Sequence, residues 1–245
     1  RLLRESGFHV RVVTNRFPGD PQESKDGDVI TYRLPLYSIN TQASKYLLLE
    51  RLDILFSNFI KRLLDWASVV YVPGLWYPAI PLAKTCKKFV VTHLHNYIAV
   101  CPLATLYDFS KSAICNHSCS QVCPPRCIAA HETAITKNSV KVLLSSFLNS
   151  IIGPCMGRLA AMSDILICVS EAQKSLIAKR DPHLSRKIQV IPNPLPVLPY
   201  CNIEGDDFGY FGGPNPLKGF HVLCDALAHS NHSNSTKARV YATNF

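Results

Sequence analysis

Short Val- and Ile-rich runs alternate with segments of helical period along nearly the whole chain, and that alternation restricts the fold more than any other feature. Runs of this type at Phe8–Thr14, Val29–Leu34, Ser68–Val72, Lys88–Leu94, Asp164–Val169, Lys187–Ile191, Phe208–Phe211 and Ala238–Ala242 predict strands. Between them, Tyr46–Trp66, Tyr77–Thr85, Lys137–Ser163, Ser170 to Lys179 and Leu217–Ala228 predict helices. Arg1–Ser6 reads as a helix end with Gly7 as its left-handed cap. Gly153-Pro154 should break or kink the third of these helical segments, because proline removes a backbone donor. Phe17–Asp28, rich in Pro, Gly, Asp and Ser, predicts a loop. Near-continuous apolar strands alternating with helices imply an α/β protein whose parallel sheet is covered on both faces.

Residues 1–191 form the expected N-terminal Rossmann-like domain, with a cysteine-rich loop at about 101–131. Residues 192–206 are proline-rich and aperiodic and predict a linker. Residues 207–245 begin a second Rossmann-like domain. A 245-residue chain with 47% hydrophobic and 18% charged residues can bury such cores. Its formal charge of +9 favours anionic partners.

The stretch FGYFGGPNPLKGF, Phe208 to Phe220, sets two glycines after a strand and Lys218 before a helix. A bare turn at a helix N-terminus can hold phosphate on backbone N–H groups, and a lysine adds a full charge. The order GGxxxxKG is not that of a P-loop, whose lysine directly follows its second glycine, and GxGxxG is absent. A plain strand-to-helix turn with a surface lysine fits the same residues.

Several stretches in one order resemble the retaining glycosyltransferases of family 4, which have the GT-B fold. They are GFHVRVVTNRFP, SVVYVPGLWYPAIPLAK, VVTHLHNYIAVCPLATL, DILICVSEAQKSLI with KIQVIPNPLP, and FGYFGGPNPLKGFHVLCDAL. The resemblance implies two Rossmann-like domains, with a nucleotide-sugar donor held mainly by the second. It implies that Lys218 stabilises the leaving diphosphate, that Gly212 and Gly213 let the backbone approach the phosphates, and that His95 reaches the donor sugar. Asn193, in the ProAsnPro passage at the domain junction, is an expected donor contact. The acceptor is expected to be a glycan or a lipid-linked molecule, with no catalytic cofactor. Two departures bear on this: Gly213 stands where the family commonly has an arginine, and Asn96 where it has an aspartate. The family's opening Gly-rich strand and loop and its later Glu-x7-Glu motif have no counterpart here. The expectation is therefore a fragment, inactive by itself, that lacks the extreme N-terminus and most of the second domain. A non-catalytic remnant that binds sugar nucleotide or glycan is the alternative. A basic, metal-stapled nucleic-acid-binding module is a remote one, disfavoured because the positive charges are scattered rather than clustered with aromatics.

Five of the ten cysteines lie between Cys101 and Cys127, and Cys115, Cys119, Cys123 and Cys127 recur at intervals of four. Structural zinc on these four, disulfide pairing and free thiols all remain open, since the spacing matches no common zinc pattern. Two basic segments with apolar faces, Tyr46–Trp66 and Lys137–Arg158, could touch a membrane surface peripherally or pack on the sheet. The expected location is cytoplasmic, including the cytoplasmic face of a membrane. Nucleic acid is not an expected partner.

Overall fold

The computed structural model describes residues 2–35, 52–74, 76–117, 125–135, 137–194, 208–210, 218–230 and 238–240. The chain divides into two compact units, residues 1–193 and 194–245.

In the first unit, α1 (Leu2–Glu5) ends at Gly7, whose φ is +84°. The Gly7 N–H bonds to Arg4 O at 2.9 Å and the Phe8 N–H to Leu3 O at 3.0 Å, the paired bonds that close a helix C-terminus. β1 (Arg11–Arg16) starts three residues after Phe8. The segment expected as a loop contains β2 (Glu23–Asp26), which turns through Gly27, φ +56°, into β3 (Val29–Pro35). β2 is antiparallel to β3 and mostly exposed, so it has no apolar pattern to betray it. The sheet order is β1-β3-β2, with β1 and β3 parallel.

The long helix expected at Tyr46–Trp66 is interrupted. A 3-10 turn covers Leu52–Phe56, and Ser57 then adopts extended backbone and accepts the Ile60 N–H at 3.2 Å, capping α2 (Asn58–Trp66). A serine hydroxyl competes with helix continuation in this way, although the apolar period runs through it. Residues 46–51 lie outside the described residues.

β4 (Val69–Pro73), α3 (Ala79–Thr85) and β5 (Phe89–Leu94) follow in the expected order. The cysteine-rich segment carries a small antiparallel pair, β6 (Tyr107–Asp108) and β7 (Ala113–Ile114), and then α4 (Pro125–Ile135). α5 (Ser139–Ala161) runs through Gly153-Pro154 as one helix, so the proline does not break it. An internal proline costs about 3 kcal/mol. Here tertiary packing offsets it: Gly153, Met156, Gly157 and Ala160 are all buried around the proline. Lys187 Nζ donates to Ala161 O at 2.6 Å and Ser163 O at 2.8 Å, placing a cation at the carbonyl end of the helix. β8 (Ile165–Cys168), α6 (Glu171–Arg180), α7 (Pro182–Ser185) and β9 (Ile188–Val190) complete the unit.

β4, β5, β8 and β9 form one four-stranded sheet in the order β4-β5-β8-β9, and every pair in it is parallel. Val72, Val90, Leu94 and Leu166 from the strands meet Ile80 and Ile177 from the helices in the main core. The fold is mixed α/β with a Rossmann-like parallel sheet, as the alternation predicts. The amino ends of its two central strands are tied by Asp164, the residue before β8. Both carboxylate oxygens lie 2.8 Å from Lys84 Nζ, and Oδ2 also accepts the Val90 N–H at 2.7 Å.

In the second unit, β10 (Phe208–Tyr210), α8 (Phe220–Ser230) and β11 (Ala238–Val240) make one βαβ element with the two strands parallel.

Candidate active site

Parallel α/β sheets bind ligands outside the carboxyl ends of their strands, where loops leave the core. At that edge of the first unit, strand alternation puts His93 and His95 on one side of the chain, and pairing sets His93 beside Pro73 of β4 and Ile167 of β8. The two imidazoles lie 4.1 Å apart between ring centroids. Tyr71 from β4 closes the group, its hydroxyl 2.5 Å from His93 Nδ1.

Burial holds the Tyr71 phenol above its ordinary value, and its hydroxyl shares a hydrogen bond with His93 Nδ1 in which the imidazole tautomer sets the donor. Burial first, and the neighbouring His95 second, hold His93 below its ordinary value and keep it neutral. His93 Nε2 is a buried atom without a hydrogen-bond partner among the described residues. His95 itself is exposed at the rim.

The backbone around His95 is braced from α6. Gln173 is buried, and its amide donates to Leu94 O at 2.8 Å and Asn96 O at 3.3 Å. Its carbonyl accepts the Val169 N–H at 2.9 Å, and its own N–H bonds to the Ser170 hydroxyl at 3.1 Å. Sequence reasoning missed Gln173. The signal was there as Ser-x-x-Gln at a helix start, a capping box whose glutamine here reaches across to the next loop. Tyr71 was missed too, because an aromatic in a strand reads as core.

Asn96 Oδ1 accepts the Ile98 N–H at 3.0 Å, so this departure from the family pattern shapes the turn after His95. The same loop rests on α5. A Cβ on Gly157 would stand 2.8 Å from Ala99 O, and one on Gly153 would stand 3.0 to 3.2 Å from the Pro102 ring.

Asn193 is exposed beyond β9, in the first unit. Lys218 belongs to the second unit and is also exposed; its carbonyl accepts the Tyr210 hydroxyl at 3.1 Å, ahead of Gly219 (φ +77°) and α8. Gly212 and Gly213 lie outside the described residues, as do Cys119 and Cys123.

Cys101, Cys115 and Cys127 are buried. Burial, with Asp108, Cys101 and Cys115 close by, pushes the Cys127 thiol up to about 11 against a bond from the Phe109 backbone. Buried Arg180 donates to Cys115 O and so pins this segment to α6. Among the described residues, no three His, Cys, Asp or Glu side chains are grouped closely enough to hold a metal. A metal on Cys115 and Cys127 would therefore need Cys119 or Cys123 to complete it.

A Rossmann-like unit with a histidine-bearing loop braced at the carboxyl edge of its sheet, followed by a separate βαβ element, places the chain among the Rossmann-like α/β proteins. Within that class the chain belongs to glycosyltransferase family 4, whose model matches residues 1–197. Its chemistry is accordingly glycosyl transfer from a sugar donor to an acceptor. No curated protein matches the chain.

Proposed function

We propose that the chain is part of a retaining glycosyltransferase that uses a nucleotide-sugar donor and a glycan or lipid-linked acceptor. The observation that carries this reading is the braced presentation of His95 by Gln173 at the carboxyl edge of the sheet. A residue held by its flanking carbonyls can meet a ligand without reorganising, which is what transition-state binding requires.

In this reading the bond between the anomeric carbon and the diphosphate oxygen breaks. The acceptor oxygen bonds to the same face of that carbon, and the acceptor proton is released. His95 contacts the donor sugar. The partnerless Nε2 of His93 offers a hydrogen-bonding position for a polar group of the incoming substrate. Lys218 balances charge on the departing diphosphate, and Gly212, Gly213 and Asn193 border the donor. The protein works in the cytoplasm, in peripheral contact with the cytoplasmic face of a membrane. Catalysis uses no metal in this scheme. A structural zinc on Cys115, Cys119, Cys123 and Cys127 would only staple the loop.

The test is product stereochemistry. The protein, with whatever sequence flanks this chain in its cell, is incubated with sugar nucleotides and extracted acceptors, and the new linkage is read by NMR. Retention of the donor's anomeric configuration is expected, and an inverted product would overturn the retaining assignment.

A further inference from the structure

α5 is built with its polarity reversed. Its inward face carries Ser145, Ser146, Asn149 and Ser150, all buried. These side chains bond back along the helix: Ser146 Oγ to Val142 O at 2.6 Å, Asn149 Nδ2 to Ser145 O at 2.9 Å, and Ser150 Oγ to Ser146 O at 2.8 Å. Its outward face carries Val140 (75% exposed), Leu144 (56%), Phe147 (63%) and Ile151 (48%), with Leu143 (74%) beside them. The positions follow the i, i+4, i+7, i+11 spacing of one stripe, about 16 Å long at about 1.5 Å per residue. A helix on the surface of a water-facing domain has the opposite arrangement.

We propose that this stripe docks the protein on a membrane surface rich in anionic lipid. The charges around it select that occupant. α5 contains no Asp or Glu, while Lys137 and Lys141 flank its start and Arg158 lies near its end. On the adjacent α4, Arg126 borders an apolar groove of about 320 Å³ that also involves Lys137 and Leu143. The acid on α4, Glu132, is buried against His131. Apolar side chains with lysine and arginine beside them match the acyl boundary and the anionic head groups of one leaflet.

α5 is long and apolar enough to cross a membrane. Its inward face nevertheless packs Gly153 on Pro102 and Gly157 on the Ala99 carbonyl, so it lies on the surface rather than spanning it. The same two contacts support the loop that carries His95, so the docked helix is one packing layer from the candidate site. The inference specifies the surface and lipid charge for the membrane contact proposed above. It does not depend on the donor chemistry.

The experiment is vesicle flotation of the purified protein without sugar nucleotide. Vesicles of phosphatidylcholine alone are compared with vesicles that also contain phosphatidylglycerol. The protein should float with the anionic vesicles, less so in high salt, and little with the neutral ones. The double variant Leu144→Ser/Phe147→Ser should lose at least about ten-fold in binding with an unchanged melting temperature, because both side chains already face solvent. As a second readout, Phe147→Trp should shift its emission to the blue on adding anionic vesicles. No flotation, full flotation of the double variant or an unshifted Trp emission overturns the proposal. So does a dimer in solution that the double variant dissociates, since a second copy would then cover the stripe. Failure of sugar transfer with intact vesicle binding would count against the reaction alone.

Discussion

Gln173 holds the chain on both sides of His95, donating to the carbonyls of Leu94 and Asn96. A residue of the first turn of α6 thereby ties Val169 to the Leu94–Asn96 segment at the end of β5, and the exposed imidazole is presented from a backbone bonded on both sides. Replacing Gln173 by Leu leaves two carbonyls and the Val169 N–H without these bonds in a buried site. Each such group costs about 1–3 kcal/mol, and water entering the loop recovers part of it. We expect a net loss of about 2–3 kcal/mol in urea unfolding, and a fall in transfer activity that persists under conditions where the variant is fully folded. A variant with parental stability would contradict the brace.

Lys218 is exposed and its side chain supports nothing in the described packing. Lys218→Ala should leave the melting temperature unchanged and reduce turnover by about 10²–10³, the usual effect of removing one group that stabilises departing charge. Near-parental turnover would end its assignment to the diphosphate.

The Asp164 carboxyl is held below its ordinary value of 3.8, mainly by its bond to Lys84, with the Val90 N–H adding to the effect. A carboxyl whose folded pKa lies below its unfolded one contributes stability above the unfolded value and loses it as pH falls through the folded value. Denaturant midpoints should therefore drop below about pH 4 in the parent protein. Asp164→Asn should show a smaller acid loss and be less stable at pH 7 by about 1–2 kcal/mol, limited because both side chains are about a third exposed. Parallel pH profiles for parent and variant would remove this tie from the account.

Gly157→Ala sets two effects against each other. Alanine favours a helix over glycine by about 1 kcal/mol. The new Cβ would, however, stand 2.8 Å from Ala99 O, a backbone atom that cannot swing aside. Overpacking of this kind costs about 1–3 kcal/mol, so the variant should be destabilised and its His95 loop displaced. Thermal melting and amide exchange at residues 95–101 would read both, and a stabilised variant would show that the loop is free to yield.

Metal analysis decides the cysteine segment. The proposed staple predicts ~1 zinc per purified chain and protection of its thiols from modification until a chelator is added. Zinc-free protein with all ten thiols reactive after denaturation, and no chelator effect on the native state, would remove it.

Strand and helix order was legible because it rests on local periodicity. The apolar runs that became β3, β4, β5 and β8 are short and rich in β-branched residues, a composition that favours strands locally. Local signals misled where a second contact decided the outcome. Pro154 does not break α5, because a helix already packed through Gly153 and Gly157 tolerates one missing bond. Ser57 broke the apolar period of the segment ending at Trp66 with a single hydroxyl bond.

By itself the sequence determined the α/β class and, through several motifs in one order, the family, since both follow from residue types in order. Only tertiary structure decided that Tyr71 meets His93, that Gln173 braces the loop at His95, and that α5 turns Ser145, Ser146 and Ser150 inward and Leu143 and Leu144 out. The first two join residues tens of positions apart, which no local period encodes. The third depends on which face of a largely apolar helix the neighbouring elements cover.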